Sequence, residues 1–388
     1  MPKKKTQNNK NLGKINIADC INSKLGKKIS FNLKESNPTK VVQWIPTGSR
    51  WLDSIISRGN YAGIPVGKVT EIAGLSATGK SYMACQISAK AQEMGFKVVY
   101  FDSEMAMDPS FLERSGVDLD RFHYTQAVTL EDVLELIELL ISNSDEQILF
   151  VLDSYPLTPT RAGKDAEEID SRRDIAEKPR ILAEAFARML IPLANHQSAV
   201  IILNQLKDNI PGKSMASRID AMVNPHKPPG GKTLDYPLSL RIWLTRRTAK
   251  DAFVYDEKGY KIGSEVKCTL KKSRFGTEGR VCSFKILWGV DEPGIQDQES
   301  WLEALQNSEF LTIGSWCMLF DEDGVQIGKS FRKNDFKNFL ENTEGALERI
   351  YELMDREIIQ KFDKREGDAD EFYKLDDEEP ELKVEENE

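Results

Sequence analysis

Gly74-Leu75-Ser76-Ala77-Thr78-Gly79-Lys80-Ser81 satisfies the pattern G-x-x-x-x-G-K-[ST]. It follows directly on Lys68-Val69-Thr70-Glu71-Ile72-Ala73, a short run with the residue types of a buried strand. Tyr82 to Gln92 then supplies a helix, with few breakers and apolar residues spaced for one face. A strand that turns through glycines into a helix aims successive backbone N–H groups inward, where the positive helix end and a lysine ammonium hold a triphosphate. Gly74, Leu75, Ser76, Ala77, Thr78, Gly79, Lys80 and Ser81 are therefore the predicted cradle for ATP. Within it Lys80 reaches the β/γ-phosphates and the Ser81 hydroxyl binds Mg²⁺.

The chain around this loop alternates. Lys97 to Asp102, Gln147 to Asp153, Ala199 to Asn204 and Leu238 to Leu244 read as strands, whereas Leu130 to Ile141 and Ile181 to Ala194 read as helices. Parallel crossovers need a helix's length of chain, so the alternation predicts an α/β fold with a mostly parallel sheet covered on both faces. Glu265 to Leu270 and Arg280 to Leu287 add two strands joined through Phe275-Gly276-Thr277. Thr47-Gly48-Ser49, followed by Trp51-Leu52-Asp53 and Ile55-Ile56, gives a turn and a short amphipathic helix ahead of the core. From about Gly294 to Phe362 a different rhythm predicts a small α+β C-terminal domain, with strands Trp316 to Phe320 and Val325 to Ile327 flanking Asp321-Glu322-Asp323-Gly324. Helices are predicted near Glu299 to Leu305, Asn334 to Leu340 and Ala346 to Phe362. The acidic loop resembles a calcium ligand set, but it meets only part of the twelve-residue spacing and reads as a hairpin turn.

An ATPase needs a carboxylate near Mg²⁺ and a group that orients the attacking water. Asp153 ends a wholly apolar strand; such an aspartate can simply cap a turn, but its pairing with Gly74 to Ser81 favours the metal role, making Ser81 and Asp153 the predicted metal ligands. Glu104 lies two residues past the strand ending at Asp102, at the carboxyl edge where open α/β sheets bind ligands, and is the candidate general base. Gln205 closes the next strand, where its amide can feel the γ-phosphate and pass that state into the following chain. With Lys80, these two complete the predicted catalytic set. From Leu206 to Pro229 the chain is polar and aperiodic, and carries Lys207, Lys213, Met215, Arg218, His226 and Lys227. A second irregular stretch runs from Tyr155 through Arg161 and Lys164 to Arg172-Arg173. Two basic loops leaving adjacent strand ends predict contact with a phosphate backbone, with Met215 or Ile210 able to wedge between bases. Surface loops that are merely basic are the other reading.

The net charge of −9 argues against a nucleic-acid partner until it is divided along the chain. Residues 366–388 hold twelve acidic and two basic side chains, so this tail carries −10 and the rest sums to +1. Lys3, Lys4, Lys5, Lys10, Lys14, Lys24, Lys27 and Lys28 make a basic N-terminal arm in which Asp19 is the only acid before Glu35. A like-charged polar tail cannot bury enough apolar surface to fold, so disorder is expected there, serving solubility or an electrostatic function. The five cysteines are scattered and never in C-x-x-C spacing, and the three histidines lie far apart, which argues against zinc sites, disulfides and histidine triads. With no run of about 18 apolar residues, and no apolar stretch after the lysine-rich start, the chain reads as cytoplasmic with no membrane partner. The expected organisation is an arm at 1–40, an ATPase core at 41–290, a small C-terminal domain at 291–365 and an acidic tail at 366–388.

Several separated pieces, taken in order, resemble the RecA/UvsX family of homologous-recombination ATPases. They are Thr47-Gly48-Ser49 with Leu52-Asp53; Gly74 to Ser81; Phe101-Asp102-Ser103-Glu104 with Asp108-Pro109 and Gly116-Val117-Asp118; Leu152-Asp153-Ser154; Asn204-Gln205; and Gly230-Gly231-Lys232. The match covers about residues 40 to 290, and Gly314-Ser315-Trp316 with Ile327-Gly328 is similar to the small C-terminal domain of bacterial members. The resemblance implies a filament that coats single-stranded DNA, pairs it with a homologous duplex and exchanges strands, using ATP and Mg²⁺, with single-strand-binding and mediator proteins as possible partners. It implies that Glu104 activates water, that Gln205 senses the γ-phosphate, and that Asp108 and Phe111 contact adenine. It further implies that Lys271, Lys272 and Arg274 reach a neighbouring subunit's nucleotide, and that the stretches after Asp153 and Gln205 are the DNA-binding loops. The basic arm resembles the segment that docks on the adjacent protomer, and the acidic tail the one that restrains duplex entry. Pro211, Pro225, Pro228 and Pro229 depart from the family pattern and would stiffen the second loop.

Two other readings share this core. A hexameric replicative helicase would carry a helical N-terminal domain, whereas only a short arm precedes Thr47. The other is a non-catalytic or regulatory protein that binds nucleotide and a protein partner, and the presence of Lys80, Glu104 and Asp153 together argues against a dead site.

Overall fold

The computed structural model describes residues 16–33, 37–57, 62–126, 129–164, 171–212, 214–230, 234–246, 252–290 and 293–359, with the backbone alone for 171–176. Lys3, Lys4, Lys5, Lys10, Lys14, Lys213, Gly231, Lys232 and the acidic segment 366–388 lie outside these residues, as do the side chains of Arg172 and Arg173. Residues up to Val42 form one unit and those from Gln43 a second. In the first, helix α1 (Ile17–Leu25) begins at Asn16, whose side-chain oxygen accepts from the Ala18 N–H at 3.1 Å, and ends at Gly26 with φ 62°. Ile17, Ile21 and Leu25 are exposed.

The second unit opens with β1 (Trp44–Ile45), α2 (Arg50–Ile56) and β2 (Ile64–Pro65), then enters β3 (Val69–Gly74) and α3 (Lys80–Glu93). Next come β4 (Lys97–Asp102), α4 (Pro109–Arg114), β5 (Phe122–Gln126), α5 (Leu130–Asn143) and β6 (Ile148–Asp153). After α6 (Arg161–Lys164) and α7 (Ser171–His196) the chain forms β7 (Ala199–Gln205), β8 (Lys207–Asp208), α8 (Met215–Val223) and β9 (His226–Lys227). It continues through β10 (Leu238–Thr245), β11 (Phe253–Tyr255), β12 (Lys261–Ser273), β13 (Val281–Leu287), β14 (Gly294–Gln296) and α9 (Gln298–Ala304). The last elements are β15 (Leu311–Thr312), β16 (Cys317–Phe320), β17 (Gln326–Phe331), α10 (Phe336–Asn342), α11 (Ala346–Met354) and a π-helical turn, Asp355–Ile359.

The main sheet has the order β14-β13-β12-β10-β3-β7-β6-β4-β5, with β11 paired on β12. From β10 to β5 every neighbouring pair is parallel, and β3 and β6 are buried at every position, as strands covered on both faces must be. Successive residues feed opposite faces. Val98, Tyr100, Leu149, Val151, Ile201 and Leu203 pack with Met83 and Ile87 of α3, whereas Val99, Phe101, Phe150, Leu152, Val200 and Ile202 pack with α5 and α7 through Ile137, Leu182 and Phe186.

Two segments depart from the sequence expectation. The stretch after Asp153 is not irregular throughout, since α6 occupies Arg161–Lys164 and α7 begins at Ser171 and runs through Pro179. The aperiodic run after Gln205 holds a two-stranded ladder, β8 with β9, and the helix α8 capped by Ser214. As the mostly parallel expectation allows, the sheet is antiparallel beyond β10, and β12 and β13 are joined by the expected short turn, which carries Gly276 (φ 78°) and Gly279 (φ 85°).

Beyond β14, β15, β16 and β17 form a separate three-stranded antiparallel sheet. Its acidic connection is a hairpin turn, with Asp321 Oδ1 accepting from the N–H groups of Asp323 (3.0 Å) and Val325 (2.8 Å), and Gly324 at φ 78°. Leu319, Phe336 and Ile350 of this part share one hydrophobic core with Leu52 of α2 and Trp301 of α9. Cys85, Cys268, Cys282 and Cys317 are buried free thiols, while Cys20 is exposed. His196 bridges Ser198 Oγ (2.7 Å) and the Ser144 carbonyl (2.6 Å), a structural role.

One buried ion pair fastens the middle of the sheet. Glu71 of β3 has no exposed side-chain surface, and its two oxygens accept from Arg241 Nε of β10 and from Asn204 Nδ2 of β7, the latter at 2.7 Å. Arg241 also lies 2.5 Å from Asp235 Oδ1. Burial pushes the Glu71 carboxyl above its ordinary range, against the opposing pull of Arg241. Arg241→Met should therefore cost about 3–5 kcal/mol in urea unfolding, because it strands a buried carboxylate, and the double variant Glu71→Leu/Arg241→Met should recover most of that loss. A single-variant loss near zero would contradict the role assigned to the pair.

Candidate functional site

The strand ends of one sheet edge converge. Register sets Gly74 of β3 beside Gln205 of β7 and Leu244 of β10, and sets Asp102 of β4 beside Asp153 of β6. There a cavity of about 690 Å³ opens, lined by Ser76 to Ser81 of the predicted cradle and by Tyr82, Glu104, Asp153, Ser154 and Gln205. Arg246, Lys261, Ile286 and Trp288 complete much of its remaining wall.

The loop needs its glycines. Gly79 caps α3 at φ 89°, and a Cβ there would run into the Ile286 side chain; a Cβ on Gly74 would meet Thr78 Oγ1 and would stand 2.8 Å from the Leu244 carbonyl oxygen. Lys80 Nζ donates to the carbonyls of Leu75 (2.9 Å) and Gly74 (3.2 Å), so the ammonium is folded along the loop. Burial lowers its pKa, while Asp153 and Glu104 pull the other way. The first turn of α3 holds no acidic residue, leaving its N–H end electropositive.

Ser81 Oγ donates to Asp153 Oδ2 at 2.8 Å, and the buried Tyr100 hydroxyl donates to the same oxygen at 2.6 Å. Burial raises the Asp153 carboxyl pKa, with the Tyr100 and Ser81 hydrogen bonds opposing it. A hydroxyl and a carboxylate kept together at the mouth of a phosphate loop are hard oxygen donors, and the pair fits Mg²⁺.

Glu104 is aimed by its own turn. Asp102 Oδ1 accepts from the N–H groups of Glu104 (2.8 Å) and Met105 (2.9 Å), and Asp102 Oδ2 accepts from Ala106 (3.1 Å). Ser154 Oγ then donates to Glu104 Oε1 at 3.0 Å, which links the exposed carboxylate to the strand end at Asp153. Gln205 is half-buried, and the next residue is tethered to the loop, since Leu206 N–H donates to the Gly74 carbonyl at 3.0 Å.

The remaining predicted residues divide. Asp108 caps α4 by accepting from Ser110 N–H at 3.1 Å, and Phe111 meets Tyr82 edge-on with 4.5 Å between ring centroids, so Phe111 backs a cavity-lining ring. Lys272 pairs in register with Arg241, and Arg274 lies further toward the amino-terminal end of β3, so neither joins the cavity of its own chain. Both are held by backbone carbonyls, Lys272 by Asp235 and Arg274 by Tyr236.

Among the basic loop residues, Arg161 is engaged by the acidic face of α5, with Asp132 Oδ1 and Glu135 Oε2 each at 2.7 Å. Lys164 ends α6 and is exposed. Lys207 and Lys227 stand directly opposite each other in the β8–β9 ladder, with Lys227 also 2.5 Å from Asp220 Oδ2. Met215 is exposed on α8, whose Arg218 and Met222 line a shallow cavity with Pro211 and Pro225.

Sequence reading passed over Arg246, Lys261, Trp288 and Lys178. Lys178 of α7 lines a cavity of about 260 Å³ together with Lys207 and Lys227, and its ammonium donates to the Pro156 carbonyl at 3.0 Å. Arg246 directly follows β10, so extending that strand by one residue would have placed it at the cavity edge. Trp288 follows β13 in the same way.

A family model described as the RecA N-terminal domain matches residues 14–293. Protein RecA of Rhodococcus jostii is 30% identical over 302 residues, covering 77% of this chain and 79% of that protein. Protein RecA of Mycobacterium ulcerans is 30% identical over 308 residues, 79% of this chain and 81% of that one, and Protein RecA of Bifidobacterium breve is 28% identical over 332 residues, 85% and 77%. The order of the strands, the phosphate loop with its Ser81–Asp153 pair and the match over residues 14–293 agree, and the chain belongs to the RecA family.

Proposed function

We propose that this protein is an ATP-dependent recombinase that assembles on single-stranded DNA and promotes homologous pairing and strand exchange in recombination and repair. One observation carries the reading: the cavity that holds the phosphate loop also holds Gln205, and the chain leaving Gln205 runs straight into the basic β8–β9 ladder. Nucleotide and DNA elements thus share a strand end.

Lys80 and the N–H groups at the start of α3 hold the phosphates, and Ser81 with Asp153 would hold Mg²⁺, whose charge would offset that developing on the phosphate oxygens. Glu104, aimed by Asp102 and Ser154, accepts the proton of the attacking water. Gln205 contacts the terminal phosphate through its amide and, through the Leu206–Gly74 hydrogen bond, shifts the second loop with it. Lys207 and Lys227 stand directly opposed in the ladder, where a phosphodiester between them would meet Lys207 and compete with Asp220 for Lys227. Lys272 and Arg274 suit a neighbouring copy's nucleotide. A DNA filament would supply that neighbour, and no helix among the described residues is long and apolar enough to cross a membrane.

Lys80→Ala should abolish nucleotide-dependent assembly, whereas Glu104→Gln should keep nucleotide binding and assembly and lose turnover by 10²-fold or more, measured by phosphate release; equal loss of assembly in both would remove Glu104 from the proton-accepting role. Replacing Lys207 and Lys227 together by alanine should make the slope of log DNA affinity against log salt shallower by about 0.7 for each phosphate contact removed. An unchanged slope would place the strand elsewhere. The raised Asp153 pKa has a signed consequence. Protonation of Asp153 would remove one of the two groups suited to Mg²⁺, so Mg²⁺-dependent nucleotide binding should fall on acidification, and Asp153→Asn should flatten that profile.

A further inference from the structure

Lys80 is not the sole cation at the phosphate loop. Arg246, at the end of β10, donates from Nη1 to the Ala77 carbonyl at 2.6 Å, and Ala77 sits at φ 57° in the loop. Its guanidinium carbon lies 5.3 Å from the ring centroid of Phe253, and Lys261 Nζ lies 3.2 Å from the same centroid. The β11–β12 hairpin sets this up, because Phe253 pairs in register with Ser264 while Lys261 opens β12. Both cations, with Ser264, line the cavity that contains Lys80, Glu104 and Gln205.

Among the described residues, neither Arg246 nor Lys261 has a carboxylate within salt-bridge distance. Two positive groups lie against one ring, and Arg246 adds to the desolvation that lowers the Lys261 pKa. Such a pair repels itself and is relieved by an anion. The Arg246 hydrogen bond ends on a neutral carbonyl, an acceptor that a phosphate oxygen exceeds through charge assistance. Arg246 touches the loop at Ala77, ahead of Gly79 and Lys80.

We propose that Arg246 and Lys261 form a second phosphate clamp, acting within the same chain, that selects nucleoside triphosphate over diphosphate. The inference rests on reading the cavity as a nucleotide site. The clamp is independent of any neighbour's Lys272 and Arg274, which lie away from the cavity of their own chain. A triphosphate carries the extra negative charge that two added cations reward, while the loop amides hold the phosphates common to both nucleotides and Lys80 spans the β- and γ-phosphates. Phe253 positions the pair by holding both cations over one ring.

The test uses the full chain without DNA, titrated separately with a slowly hydrolysed ATP analogue and with ADP, both with Mg²⁺, by calorimetry. Arg246→Ala and Lys261→Ala should each weaken the triphosphate by ~10-fold or more, the loss of one charge-assisted hydrogen bond, and weaken ADP by much less. Arg246→Lys should keep a larger part of the preference, and thermal melting of each variant checks the fold. Lys80→Ala separates the two levels of the argument. If Lys80→Ala leaves both affinities intact, the nucleotide reading itself fails. If Lys80→Ala abolishes binding while the Arg246 and Lys261 variants keep the wild-type ratio, or lose both nucleotides equally, the clamp is overturned.

Discussion

Glu71 is the constraint on which the site depends. A carboxylate in the middle of a wholly buried strand must be answered from both sides, and Arg241 of β10 and Asn204 of β7 do so. That answer fixes β3 between its neighbours, and three residues later the same register brings Gly74 beside Gln205 and Leu244. Asn204 also donates to the Pro229 carbonyl at 3.0 Å, so the closing end of the second loop is tied to the residue next to Gln205. The loop is therefore anchored at both ends to the strands that carry the phosphate site, by Leu206–Gly74 at its start and Asn204–Pro229 at its close.

Charge is arranged in the opposite sense from the chain's total. The net −9 arises from residues 366–388, and the sheet edge presents Lys80, Arg246, Lys261, Lys178, Lys207 and Lys227. Asp153 and Glu104 are the acids among the cavity-lining residues, and each is held by hydroxyl groups rather than by a cation. Among the described residues this leaves Arg246 and Lys261 without a carboxylate partner at the phosphate loop, where phosphate is the fitting counter-charge.

Most of the central strands and the phosphate loop were legible because their signals are local: apolar runs bounded by breakers, and a motif whose glycines have steric reasons at Gly74 and Gly79. Ser81 was reachable as the last position of the motif, and Asp153, Glu104 and Gln205 because each sits at or just past a strand end. What could not be read depends on long-range placement. Arg161 looks like a free basic residue until α5 brings Asp132 and Glu135 against it. Arg172-Arg173 was read as part of an irregular stretch, whereas α7 begins at Ser171 and runs through Pro179. The β8–β9 ladder has two-residue strands of polar composition, too short for any alternation to show. Arg246 and Lys261 meet over Phe253 only because β12 turns back antiparallel, which no periodicity announces.

The most direct measurement is ATP hydrolysis with and without single-stranded DNA, with the same samples imaged by negative-stain microscopy. The account predicts hydrolysis stimulated by DNA and helical filaments on it. Closed rings, or DNA-indifferent hydrolysis by a monomer, would contradict it.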